Sequence, residues 1–172
     1  MRNLAPVLAH LEKTRAELLS AAGSVSGDRW NQAPGRGGWS AAEIAAHLAI
    51  VERAIIARAE ELVKREPEPT PLLKRFHRPV RLAQWRIFRR KTPIPLDPQL
   101  VSERPAALEH LAATRKATLE FIGANRLRDL SAYRYPHPFL GSFNVYDWLF
   151  FIGYHELRHA KQIRETVETF HA

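Results

Sequence analysis

The 172-residue chain contains no cysteine. That excludes a disulfide framework, a thiolate nucleophile and cysteine-bound zinc, and it fits a reducing compartment, so a cytoplasmic location is the expectation. Any metal must then rest on nitrogen and oxygen donors. Long apolar runs are missing as well: nothing approaches the ~20 residues of a membrane span. Residues 1–22 read as an amphipathic helix carrying acids, not as a secretory signal. No segment shows a convincing period-two alternation, so no strand is expected. Acids are absent from one long stretch, with none between Glu68 and Asp97.

What remains is helical patterning. The apolar fraction of 45% is ordinary for a globular chain, and the length suits one domain over residues 1–172. Leu4, Leu8, Leu11, Leu18, Leu19 and Ala22 form the apolar face of a first helix that ends near Gly23, with His10 at its edge, expected on the surface. Residues 23–38 are dense in Gly, Ser, Pro and Asn and read as a loop, with Trp30 lying as a lid on the core. Trp39-Ser40-Ala41-Ala42-Glu43 predicts a capping box, Ser40 accepting from the Glu43 amide and Glu43 reaching back to the Ser40 amide. The second helix follows with Ile44, Leu48, Val51, Ile55 and Leu62 on one stripe, to about Arg65. Ser102 and Pro105 open a third, with Leu108, Leu111, Leu119 and Ile122 inward and His110 off the stripe. Asn144 and Asp147 start a fourth, in which Val145, Leu149, Ile152, Ile163, Val167 and Phe170 recur at three- and four-residue steps. Four long helices with uneven connections predict an all-α four-helix bundle.

Histidines interrupt two of these stripes. His155 and His159 fall between Ile152 and Ile163, and a gap of four places both rings on one helix face, one turn apart. An imidazole on a buried stripe costs free energy unless its nitrogens find partners. His47 lies within the second helix's stripe and alone reads as a satisfied core residue. Bundles build metal sites from side chains on facing helices, so one divalent ion shared by His47, His155 and His159 is the economical account; the competing one has each ring hydrogen-bonded to a neighbour. Three imidazoles leave a coordination position open to water or substrate, as in a catalytic rather than a structural site. Imidazole suits zinc and nickel best, with manganese or iron as further candidates. His155-Glu156-Leu157-Arg158-His159 also fits the zinc-protease pattern His-Glu-x-x-His. The extended form of that pattern needs Gly and His where this chain has Gln162 and Glu165, so a third ligand is expected upstream. Glu156 is the nearest carboxylate in sequence for general-base duty, although it stands about 100° round the helix from His155.

Between the second and third helices, residues 66–71 alternate proline and break the helix. Lys74, Arg75, Arg78, Arg81, Arg86, Arg89, Arg90 and Lys91 follow, and these eight cations equal the whole net charge of +8. Leu73, Phe76, Val80, Leu82, Trp85 and Phe88 intervene, which predicts a short basic helical insert broken at Pro79. It is either a solvated basic face or a docking surface for an anionic partner through Arg86, Arg89 and Arg90. Nucleic acid and an anionic membrane are both conceivable partners there, but no nucleic-acid module accompanies the insert. The last connection carries Tyr135-Pro136-His137-Pro138-Phe139-Leu140-Gly141, which places His137 near the mouth of a site on the fourth helix.

Gly38-Trp39-Ser40 through His47-Leu48, the His137–Gly141 loop, and Tyr154-His155-Glu156 with Arg158-His159 and Gln162-Ile163 together resemble the DinB/YfiT-like superfamily of bacterial four-helix-bundle metalloproteins. The resemblance implies a divalent metal on one histidine of the second helix and two of the last, here His47, His155 and His159. It implies a homodimer, and among activities it implies thiol-dependent transfer or isomerisation with mycothiol or bacillithiol. The basic insert is not part of the family pattern. Two functions are therefore expected. One is a metal-dependent enzyme, a thiol-dependent transferase or a hydrolase, acting on a small molecule, with any thiolate supplied by a low-molecular-weight cosubstrate. The other is a non-catalytic binding protein with a structural or vestigial metal site and a basic surface.

Overall fold

The computed structural model describes residues 4–35, 37–67, 71, 75–85 and 101–170. It contains four long helices: α1 (Ala5–Gly23), α2 (Ala41–Val63), α3 (Arg104–Ala124) and α4 (Val145–Thr169). Both expected caps form. Ser40 Oγ accepts from Glu43 N at 3.2 Å while Glu43 Oε2 accepts from Ser40 N at 2.7 Å. Asn144 and Asp147 repeat the exchange at 3.0 Å in each direction. These reciprocal bonds satisfy amides that the first helical turn leaves without partners. At α3 the cap is Glu103 rather than Ser102, without a side-chain bond, and Pro105 occupies the first turn.

One expectation fails outright. Arg134–His137 (β1) and Gly141–Asn144 (β2) pair antiparallel, Tyr135 opposite Phe143 and Arg134 opposite Asn144. The hairpin is too short to show alternation, and Pro136 disguises it. Gly141, at φ +98°, lets the neighbouring chain approach: a Cβ there would lie 2.9 Å from the Phe76 carbonyl oxygen. His77 bridges to Gly141, and the Arg78 amide donates to the Leu140 carbonyl. The chain then turns through a 3₁₀ segment, Val80–Gln84, that packs on α4. It starts just after Pro79, where a break was expected. Lys74, Arg86, Arg89, Arg90 and Lys91 lie outside the described residues, as do Leu73 and Phe88.

The helices pair as α1 with α4 and α2 with α3. Leu11, Leu18, Ile44, Leu111, Leu149 and Ile163 are fully buried. Trp30 is no lid: it is completely enclosed, and its indole N–H donates to the Ser102 carbonyl at 2.9 Å. Leu8, Leu19 and Leu119, expected inward, are exposed. The last two line an apolar groove of about 730 Å³ with Leu108, above the Arg15 and Arg115 side chains.

Those arginines belong to a network that takes one charged residue from each helix. Arg15 donates to Glu156 at 2.7 Å, to Glu52 at 2.9 Å and to the Leu111 carbonyl at 2.7 Å. Arg115 donates to Glu52 at 2.8 Å and to the Leu11 carbonyl at 2.7 Å, and lies 3.0 Å from Glu156. Thr14 completes Glu156 and Thr118 completes Glu52, each at 2.8 Å. Burial alone would lower the Arg115 pKa; the Glu156 and Glu52 carboxylates more than offset it, and the value is raised. The bonds are reciprocal because the chain nearly repeats: His10-Leu11-x-x-Thr14-Arg15 recurs as His110-Leu111-x-x-Thr114-Arg115. Glu52 and Glu156 likewise hold the same position relative to the two capping boxes. The α1–α4 and α2–α3 pairs thus face one another in a nearly two-fold relation, with the four charges between them.

Candidate metal centre

The α2 and α4 stripes bring His47, His155 and His159 together, one ligand nitrogen from each lying within 4.8 Å of the others. His155 Nε2 stands 3.3 Å from His47 Nε2 and 3.1 Å from His159 Nε2. His47 and His159 are buried and His155 keeps a partly exposed edge. Burial holds the His47 pKa down to about 4. Burial, with the His159 and His47 rings nearby, holds His155 well below the ordinary value. Both rings are therefore neutral at physiological pH, the state a metal ligand requires.

Hydrogen bonding alone would join the three rings through shared protons between Nε2 atoms. His159 Nδ1 lies 3.0 Å from Gln162 Oε1, which can only accept, so Nδ1 carries the proton and Nε2 presents a lone pair to the cluster. A single proton on His155 Nε2 cannot be donated well to both neighbours. Nitrogens about 2.0–2.1 Å from a tetrahedral zinc stand about 3.3 Å apart, close to the two Nε2 separations around His155. The all-imidazole donor set fits a borderline divalent ion.

Aromatic rings hold the ligands in place. Trp39 stacks on His159 with planes 9° apart and meets His47 edge-on at 4.9 Å between centroids. Phe151 stacks on His155 at 5.3 Å. His137, at the end of β1, reaches Phe151 at 4.8 Å and so sits one ring away from His155. Its Nδ1 accepts from the Phe139 and Leu140 amides at 3.1 and 3.2 Å, which leaves the proton on Nε2. Burial lowers its pKa to about 4.

This set matches a known family. The sequence model of the DinB superfamily matches residues 10–163. The chain belongs to the DinB superfamily. A curated relative, the uncharacterised protein YuaE of Bacillus subtilis (strain 168), is 28% identical over 158 residues, covering 91% of this chain and 94% of the relative. The crystal structure of TT2238, a four-helix bundle protein, superposes with a TM-score of 0.61 at 22% identity, covering 95% of this chain and 99% of that one. It supports the four-helix fold of this DinB chain. No described helix is long and apolar enough to cross a membrane.

Glu156 does not meet its expected role. It is almost wholly buried, with Oε2 accepting from Thr14 and Oε1 from Arg15 and Arg115. Its place on the helix turns it into the charge network, away from general-base duty. His10, expected on the surface, is half-buried: its Nε2 donates to the Phe150 carbonyl at 3.2 Å and its ring packs on Tyr154. His110 is exposed as expected. The structure adds Gln162, Trp39 and Phe151 as residues that hold the ligand rings. The i, i+3 spacing from His159 to Gln162 was the available signal for the first. The other two are contacts between turns or elements that spacing does not encode.

Proposed function

We propose that this DinB protein is a metal-dependent enzyme that carries one divalent ion, zinc or nickel, on His47, His155 and His159 and transfers a small-molecule thiol to an acceptor. The observation that carries the reading is the convergence of three Nε2 atoms, with His159 Nδ1 anchored on Gln162. When bound, a divalent ion at such a site lowers the pKa of a coordinated thiol or water toward neutrality. The chain supplies orientation: Gln162 fixes the tautomer of His159, Trp39 stacks on the same ring and Phe151 stacks on His155. His137 Nε2–H is a neutral donor close to the same rings. Engagement of Glu156 in the ion-pair network favours thiol transfer over hydrolysis, because attack by water calls for a general base and that carboxylate is occupied. A purely structural metal is disfavoured by the charge network, which joins all four helices without it.

Two measurements test the proposal. Elemental analysis of protein purified without chelator should give one divalent ion per chain, lost in His47→Ala, His155→Ala and His159→Ala and kept in His110→Ala. Turnover of an electrophile with a low-molecular-weight thiol should then follow metal content. Metal retained in full by His155→Ala would refute the site; metal without turnover across a thiol panel would refute the enzyme and favour a binding protein.

A further inference from the structure

Residues 75–85 form a strap that crosses from the hairpin to α4 and does not contribute to the metal centre. Its inner side is fastened. The Arg75 carbonyl accepts from Arg134, the Arg78 amide donates to Leu140, Val80 and Ala83 pack on the core, and the Trp85 carbonyl accepts from Arg158. Its outer side is unusual. Phe76 is 82% exposed and Trp85 50% exposed, and Phe139 on the adjoining hairpin turn is 45% exposed. Arg75, Arg78 and Arg81 are exposed among them. Ion pairs among the described residues do not include Arg78 or Arg81. The surrounding sequence has no acid between Glu68 and Asp97. A phenyl ring left almost wholly in water is stabilised when it is buried elsewhere.

We propose that this strap, with the hairpin turn, is a peripheral docking surface for an anionic lipid bilayer. Arginines drawn to anionic headgroups beside aromatic side chains that enter the interface are the chemistry such a surface uses. A second copy of the chain is a poor occupant: in a two-fold interface the patch meets itself, so the cations of one copy would face those of the other. Nucleic acid is disfavoured on a different ground. Single strands are bound in a groove of stacking rings, and the sequence shows no nucleic-acid module signature.

The test is co-sedimentation of the metal-loaded full chain with phosphatidylcholine vesicles, with and without phosphatidylglycerol. Binding should need phosphatidylglycerol and weaken as salt rises. Arg78→Gln with Arg81→Gln should weaken it roughly thirtyfold, and Phe76→Ser with Trp85→Ser by about tenfold or more. Vesicles with brominated acyl chains should quench tryptophan emission in the wild type, and this quenching should be lost in Trp85→Phe. These positions are exposed, so an unchanged thermal midpoint and metal content shows that each variant has folded. Three results would overturn the proposal: equal binding to neutral and anionic vesicles; no vesicle binding but capture of a mixed-sequence oligonucleotide; or no vesicle binding but a dimer that Phe76→Ser dissociates.

Discussion

At the scale of single residues, the contrast between His159 and Glu156 shows how a helical angle decides a role. The two lie three positions apart on α4, yet one ring joins the triad and the carboxylate meets Arg15 and Arg115. The bond from His159 Nδ1 to Gln162 Oε1 sets which nitrogen is left to a metal. Gln162→Leu should therefore weaken metal affinity by about 10–100-fold, the usual scale for a lost partner of a ligand histidine. Competition with a chromophoric chelator measures this, and unchanged affinity would remove Gln162 from the site. The triad itself was legible in the sequence because a polar ring on a buried stripe stands out and a spacing of four points two rings one way. The role of Glu156 was not legible: sequence places it beside His155, and only packing shows which neighbours its side chain meets.

At the scale of elements, the nearly two-fold relation between the α1–α4 and α2–α3 pairs explains why the buried charges come as a set. Arg15 and Arg115 each cap a carbonyl of the other's helix, Leu111 and Leu11, and each pairs with both glutamates. Removing one partner strands a buried charge. Arg115→Met should cost about 3–5 kcal/mol in urea unfolding, and adding Glu52→Met should recover part of that loss. Arg15→Met should cost a similar amount because its bonds are nearly equivalent. Ser40→Ala, which opens the α2 capping box, should cost about 1 kcal/mol, and an unchanged midpoint would mean the box does not hold the helix start. The capping boxes of α2 and α4 were legible because they depend on neighbours in sequence. The hairpin was not: four-residue strands, one containing Pro136, offer too few positions for alternation to register. The exposure of Leu19 and Leu119 was hidden for a related reason. Both helices place arginine and threonine inward, so counting apolar residues alone rotates the assigned face.

At the scale of the whole molecule, the question is whether a metal is needed for the fold. Every helix contributes a charge to the central network, and two apolar clusters flank it. Chelator-treated protein should therefore keep its helical circular dichroism and unfold cooperatively. Its stability should nonetheless depend on pH, with a sign fixed by histidines outside the triad. Burial lowers the pKa of His10, only partly offset by the Phe150 carbonyl, and burial lowers that of His137 to about 4. In the unfolded chain both would titrate near about 6.5. Below that value the unfolded state binds protons that the folded state refuses, so stability is full above about 6.5 and falls as pH drops toward about 4. In metal-free protein His47 and His155 add to the same slope. His137→Gln should flatten the fall in urea midpoint between about pH 6.5 and about pH 4, a window set by those two values. A midpoint that held constant through that window, or rose as pH fell, would show that these rings are not held neutral by the fold.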